Sequence, residues 1–535
     1  MFTKSRSCIL IAYVAAWFLT GCQDIQPISI QNQAQGIVFA LSSQPGHLDP
    51  HLTSDEEVGI VLRQIYDTLI YRDPTSRALV PGLADNWTID EGGLVYTFNL
   101  RQGVLFHNGT PFDASAVAAN LDRIMAQPPD TFARRLLGPY SSYEILGTYS
   151  IQLRLTEAYA PFLDGLSQPY LGIASPSALS AYSVNRYQYH QVGTGPFILE
   201  EYVPGKRIVI RRNPNYLWGP SFLSSNSDGD AVDRVTFTFI VSEVERSEAV
   251  QNGGVQISDR IPPSLARSLS ANTTLQILPV ILPGQPVQLL FNVQRFPTDS
   301  TSVRQALIYS SKRNQIADRI YQRFAPIASG AISSTTLLFN RGSLVPYPED
   351  TARAQELLSA EGYADGNQNG ILDRNGAEFQ IQILTLTGDL IPEVVGLLAE
   401  DWSALGIQVE IVPVPTVTSL VEAIQTREYN LIAYSQTFTD PAFLNDFFTT
   451  GGAKNWGNYN NPSLDTVLVQ ARAELDDDIR RSLYLQAVTF IQEQAWTLSI
   501  ADVASIYVAD TNLRGLLFDL SGVPMLFGTV YRQSS

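Results

Sequence analysis

The sequence predicts a mixed α/β protein of several domains, and three observations carry that expectation. Its 535 residues are roughly three domains' worth of chain. Hydrophobic residues make up 45% and charged ones 16%, which suits large apolar cores and excludes a disordered chain. From Val287 onward amphipathic helices alternate with short apolar strands, whereas the first half is richer in hairpins.

The elements run in this order. "GIVFALS" (Gly36–Ser42) reads as a strand. Glu56–Leu69 reads as a helix, because Val58, Val61, Leu62, Ile65 and Leu69 recur at helical spacing. The stretch "ADNWTIDEGGLVYTFNLRQGVLFHNGT" alternates apolar and polar residues around Gly92–Gly93 and closes on Asn108–Gly109, as hairpins do. Asp113 is placed to N-cap a helix over 114–125. "YSIQLRL" (Tyr149–Leu155) and "RVTFTFIV" (Arg234–Val241) read as strands. Between them "VGTGPF" (Val192–Phe197) reads as a glycine turn entering a strand, since it lacks the lysine and following helix of a phosphate loop. Beyond the Pro/Gly-rich "LPGQP" (Leu282–Pro286), Val287–Val293 is a strand and Ser302–Tyr321 one long amphipathic helix. "EFQIQILTLT", "IPEVVGLLAEDWSALG" and "IQVEIVPV" continue as strand, helix and strand. Asp476–Ala495 is helical, and "WTLSIADVASIYVAD" is mostly strand.

The N-terminus carries a different signal. Lys4 and Arg6 precede an apolar run from Ile9 to Leu19, which has the charge and length of a secretory signal peptide and is too short for a comfortable membrane span. Leu19–Thr20–Gly21–Cys22 resembles a bacterial lipobox, in which the cysteine becomes the lipidated first residue. The only other cysteine, Cys8, would leave with the signal, so the mature chain is expected to hold no disulfide. Residues 22–35 are polar and Gln-rich and read as a flexible tether. The net charge of −17, about −19 without Lys4 and Arg6, argues against a nucleic-acid partner. No second apolar run approaches membrane length, so everything after Cys22 is expected outside the cytoplasmic membrane, in the periplasm or at the cell surface.

At Gly82–Ile124 the chain resembles the extracytoplasmic solute-binding proteins of peptide/nickel-type (family 5) ABC importers. The resemblance rests there on Trp87, "YTFNLRQG", Phe106–His107–Asn108–Gly109–Thr110–Pro111 and the helix after Asp113. "VGTGPF" with "EEYVPGKRIVIRRNPNYLWG", then "LLFNVQRFPTDSTSVRQAL", "YPEDTARAQELLSAEGY" and "NWGNYNNPSLDTVLVQARAE" are similar to four further blocks, in family order. The resemblance implies a hinged, two-lobed periplasmic-binding-protein fold with an extra domain and mixed sheets. Lobe I would comprise 36–78, 193–285 and 496–535, the extra domain 79–192 and lobe II 286–495. The chain would cross between lobes at Leu282–Pro286 and near Glu493–Trp496. It also implies a monomer without cofactor or enzymatic turnover. Such a receptor is held to the membrane by its lipid, binds an oligopeptide or other small solute, and passes it to ABC permease subunits.

In peptide-binding members the block at Leu431–Phe448 resembles "W-x-x-D-x-x-x-P", whose aspartate pairs with the ligand's α-ammonium. Here Tyr434 stands at the tryptophan position and Thr437 at the aspartate position, flanking Ser435 and Gln436. A hydroxyl cannot neutralise a buried ammonium. Either Asp440 substitutes, or the ligand has no free α-amine at this place, and the cost of unpaired buried charge favours the second. Ser54 and Glu56 are ligand candidates at the start of the first helix, where a run of acids equally suits the helix dipole.

Metal chemistry finds little support. His47 and His51 are separated by Pro50 and cannot share a helix face, and no histidine lies in the second half of the chain. Asp365–Asp373 spaces oxygens as a calcium loop does, yet Gly376 stands where the bidentate Glu is needed, which favours a plain polar turn. A secreted hydrolase using two carboxylates, or the same fold serving as a sensor without a transporter, are the competing readings.

Overall fold

A computed structural model describes residues 36–223, 231–339, 347–388 and 390–532. The signal peptide, Cys22 and the tether lie outside the described residues.

The chain begins with β1 (Gly36–Leu41) and α1 (Glu56–Ile65), then builds β2 (Ala84–Ile89), β3 (Val95–Leu100), α2 (Ala114–Met125), α3 (Phe132–Leu136), β4 (Tyr140–Gly147), β5 (Ser150–Leu155) and α4 (Phe162–Leu166). It returns through β6 (Phe197–Val203), β7 (Arg207–Arg212), β8 (Arg234–Phe239), β9 (Ile257–Ser258) and β10 (Leu275–Ile281). The second half comprises β11 (Gly284–Phe291), α5 (Thr301–Ser310), α6 (Arg313–Tyr321), β12 (Gln380–Leu386), α7 (Ile391–Ser403), β13 (Gln408–Val414) and β14 (Leu431–Thr437). It continues with α8 (Phe443–Phe448), α9 (Pro462–Ala473), α10 (Asp477–Glu493), β15 (Thr497–Ala501) and β16 (Ala504–Asp510).

Three sheets organise these elements. A seven-stranded mixed sheet runs β10-β16-β9-β1-β8-β7-β6, with β1 parallel to β8 and β9 and the outer pairs antiparallel. A five-stranded mixed sheet runs β13-β12-β14-β11-β15. An antiparallel sheet, β2-β3-β5-β4, is formed from residues between them in sequence. Each sheet packs on its own core: Phe39, Ile65 and Phe237 for the first, Leu289, Trp402 and Leu431 for the second, and Phe98, Leu121 and Phe162 for the third.

The first and second sheets are joined by two short crossings. β10 passes to β11 through Leu282–Pro283, and β15 passes to β16 through Asp502–Val503. Leu282 N–H donates to Val503 O at 2.8 Å, so the crossings run side by side. The sequence places the return crossing near Glu493–Trp496; β15 still belongs to the second sheet, beside β11, and the chain leaves it only afterwards. "TLSIA" is apolar enough for either sheet, so its membership is decided by pairing.

Local details reflect side-chain chemistry. Asp113 caps α2 by accepting from Ala116 N–H at 3.0 Å, and α2 covers the residues expected of it. α1 is shorter than its periodicity predicts, because Tyr66 turns extended (φ −118°, ψ 137°). Ile65 O there accepts from Gly195 N–H at 2.9 Å, and Leu69 packs in the core of the third sheet instead. The helix expected over Ser302–Tyr321 is split into α5 and α6. Ser310 and Ser311 hydroxyls donate back to Ala306 O and Leu307 O at 2.8 and 2.6 Å, and Asp401 accepts from Lys312 N–H at 2.9 Å. Serines that bond backward compete with the helix ladder.

"VGTGPF" owes its glycines to close approach. A Cβ on Gly193 would meet Ile65 O at 2.1 Å, and one on Gly195 would meet Ile65 C at 2.6 Å. Gly195→Ala should therefore lower stability by about 1–3 kcal/mol. Gly147→Ala, where a Cβ meets nothing within 4 Å, should be near neutral. Thermal unfolding of the two variants beside the wild type checks this.

Candidate functional site

Where the two crossings lie, the three sheets' outer elements enclose a cleft of about 430 Å³. The first sheet's side contributes Ser54, Glu56, Glu57 and Ile60 from the start of α1, with Asp259, Arg260 and Tyr507. The third sheet's side contributes Phe132 and Arg135 of α3, Tyr159, Asp164 of α4 and Tyr170. The second sheet's side contributes the end of β14 and the residues beyond it: Gln436, Thr437, Phe438, Thr439, Asp440, Asp446 and Lys454. The lining is thus aromatic with charged groups at both ends.

One end is acidic. Arg260, held at φ 43°, forms salt bridges with Glu56 and, at 3.2 Å, with Glu57. A left-handed arginine is a strained conformation that clusters at functional sites. Behind it Asp259 is buried, 3.8 Å from Arg246, and accepts from Ser42 Oγ at 3.0 Å. Burial pushes the Asp259 carboxyl up to about 7; Arg246 and Arg260 oppose that, and Glu57 adds to it.

At the other end β14 pairs with β11 in a register that sets Thr437 opposite Gly284 and Gln436 opposite Gln285. Tyr434, 4% exposed, stands behind the cleft wall. Its ring packs 5.0 Å from Trp456, and its hydroxyl donates to Gln436 Oε1 at 2.9 Å. Burial pushes this phenol up to about 12. Ser435 is half-buried and, like Tyr434, is not among the lining residues. Lys454 donates to Gln436 Oε1 and lies 5.5 Å from the Phe438 ring centre.

Asp440, the alternative countercharge, is already paired. Both its oxygens accept from Arg480 Nη2, at 2.9 and 3.0 Å, and Oδ1 also accepts from Ala442 N–H. Arg480 in turn donates to Ala471 O at 3.0 Å. Asp164 is engaged as well, 2.8 Å from Arg72 and accepting from the Thr439 hydroxyl. That hydroxyl contact, with Ala160 N–H to Arg472 O at 2.9 Å and Arg472 to Glu157 at 3.4 Å, ties the third sheet's domain to the second.

The structure therefore brings Ser54, Glu56, Gln436, Thr437 and Asp440 to one cleft, with Asp440 already paired. Sequence reasoning missed Arg135, Lys454, Asp259 and Arg260. Lys454 had a weak signal, as the only cation between Arg427 and Arg472; Arg135 had none.

Two of the histidines serve the scaffold. His51 packs against Arg123 and Gly172 O, His107 against Gly195 O, and burial lowers both to about 4. In Asp365–Asp373 the side-chain oxygens turn to backbone amides: Asp365 accepts from Asn369 and Gly370, and Asp373 from Gly366. Among the described residues no group of three or more His, Cys, Asp or Glu could hold a metal ion, and no helix is long and apolar enough to cross a membrane.

Two mixed sheets joined by paired crossings, with a cleft between them and a third sheet at its side, define a hinged solute-binding protein. Residues 78–457 match the bacterial extracellular solute-binding proteins, family 5 (middle region), and the chain belongs to that family, whose members bind solutes outside the cytoplasm for ABC importers. It is 28% identical over 365 residues to the glutathione-binding protein GsiB of Salmonella paratyphi A, covering 68% of each chain. Its fold superposes on NikA from Brucella suis in complex with Fe(III)-EDTA with a TM-score of 0.82, at 24% identity over 93% of this chain and all of that one. For the oligopeptide-binding protein AppA of Bacillus subtilis, in complex with a nonapeptide, the TM-score is 0.73 at 19% identity, over 94% of this chain and all of that one.

Two outcomes test the electrostatics. Arg480→Ala strands a buried carboxylate and should cost about 3–5 kcal/mol; adding Asp440→Ala should recover part of that loss, as urea unfolding of both would report. Asp259 binds its proton more tightly folded than unfolded, where 3.8 is the ordinary value. Its contribution is fully present below that value and is lost as pH rises through about 7. Wild type should therefore lose stability relative to Asp259→Asn between pH 4 and 7, and parallel pH profiles would contradict it.

Proposed function

We propose that the protein is a lipid-anchored receptor that captures a peptide-like or other small solute in this cleft and delivers it, unreacted, to ABC permease subunits. The observation that carries the reading is the cleft itself, lined from three units at the meeting of two hydrogen-bonded crossings. Its volume of about 430 Å³ lies in the range of small-molecule sites, and paired crossings suit hinge closure over a ligand. The first and second sheets would be the cores of lobes I and II, and the third sheet that of the extra domain. The names of relatives support a solute of this kind: glutathione for GsiB, a nonapeptide for AppA and a metal chelate for NikA.

Within this reading Ser54, Glu56, Gln436 and Thr437 face the solute, and Tyr434 supports Gln436 from behind. The solute places no α-ammonium at Thr437, since a hydroxyl offers no countercharge and Asp440 is held by Arg480. Cys22 carries the lipid, and the protein acts as a monomer.

Native mass spectrometry of the purified full-length protein against its denatured mass tests the reading. A reproducible extra mass, lost on denaturation, is the expected outcome, and its identity names the solute. Cys22→Ser should abolish membrane retention without changing that mass. Chemical conversion of the released solute during incubation would overturn the receptor reading.

A further inference from the structure

We propose that the β14 end of the cleft is an anion-binding subsite, built by Lys454 and Arg135, that takes a carboxylate of the bound solute. The proposal rests on the cleft being the solute site.

Lys454 enters the cleft in an aromatic setting. Its ammonium lies 5.9, 5.5 and 5.3 Å from the ring centres of Tyr434, Phe438 and Phe447 and donates to Gln436 Oε1. Arg135 comes from α3 on the opposite wall, exposed, with Phe132 beside it. Its field reaches Lys454, Asp446 and Tyr434 alike. Among the described residues neither cation forms a salt bridge, unlike three of the other charged groups lining this end. Arg472 pairs with Glu157, Asp440 with Arg480 and Asp164 with Arg72. Only Asp446 then faces the two cations, which leaves one positive charge in excess.

That surplus selects the ligand. A carboxylate between an ammonium and a guanidinium gains charge-assisted hydrogen bonds and screens two like charges from each other. A cationic group at the same place would meet repulsion from both. Aromatic walls exclude water and strengthen either effect. The chemistry recognised is a solute carboxylate, such as the C-terminus of a short peptide. Burial, with Arg135 acting in the same direction and Asp446 against it, lowers Lys454 to about 8. The Tyr434 phenol, at about 12, stays neutral through this range, so Lys454 is the group there that changes charge between pH 7 and 9.5.

The test offers the full-length protein two matched tripeptide pools, one with free C-terminal carboxylates and one amidated, and reads retained ligand by native mass spectrometry. Wild type at pH 7 should retain the free-carboxylate pool at least tenfold over the amidated pool. The ratio should fall toward one in Lys454→Met and in the surface variant Arg135→Gln, and in wild type at pH 9.5, whereas Lys454→Arg should keep it. Equal retention of both pools by wild type, or an unchanged ratio in both neutral variants, would overturn the anion subsite and leave the receptor reading intact. Retention of neither pool would overturn the peptide-carboxylate subsite and leave the receptor reading to the native-mass test.

Discussion

The carboxylate of Asp67 is the point on which the first domain hangs. It is buried just past the end of α1 and accepts four hydrogen bonds from side chains, three of them distant in sequence. Tyr71 and Tyr216 hydroxyls donate to Oδ1 at 2.7 and 2.8 Å; Thr194 Oγ1 and Trp218 Nε1 donate to Oδ2 at 2.9 and 3.0 Å. A buried carboxylate is tolerable only when its lone pairs are filled. Filling them pins the end of α1, the turn before β6 and the loop after β7 to one another. The opposite end of α1, which supplies Ser54, Glu56 and Glu57 to the cleft, is positioned by that constraint.

The same requirement governs the rest of the cleft, where most charges are already paired. Arg480 holds Asp440 and Arg72 holds Asp164, so these carboxylates shape the wall and orient loops. Arg260 holds Glu56 and Glu57 at the other end, in a backbone conformation that costs energy by itself. A cleft with its charges committed in pairs is pre-organised, and under the proposed function the charges left uncommitted would select the solute. Thr437, a hydroxyl, stands close in sequence to one such pair, Asp440 with Arg480.

The joint between the sheets is narrow and ordered. Leu282 and Val503 are hydrogen-bonded to each other, Ser333 Oγ donates to Leu282 O at 2.7 Å, and Asp502 accepts from Ser334 N–H at 3.1 Å. Few residues therefore absorb any rotation of one domain on the other. Contacts on the far side include polar ones through Thr439, Ala160 and Arg472. Polar contacts of that kind exchange readily with water, whereas the cores behind them do not.

The sequence by itself determined the kind of most of the elements. Period-3.6 stripes, the Asp113 cap and the Gly92–Gly93 turn are local signals, and local physics writes them into the chain. It also carried the order of blocks that assigns the family, and the departure at Thr437. Tertiary structure decided the features that depend on partners far away. α1 stops at Ile65 because Gly195 takes its carbonyl, β15 joins the second sheet by pairing with β11, and Asp440 is held by Arg480 forty residues on. The cleft's charge balance belongs to the same class. Arg135 and Lys454 lie more than three hundred residues apart in the chain, and no periodicity or motif encodes that two such side chains face one volume.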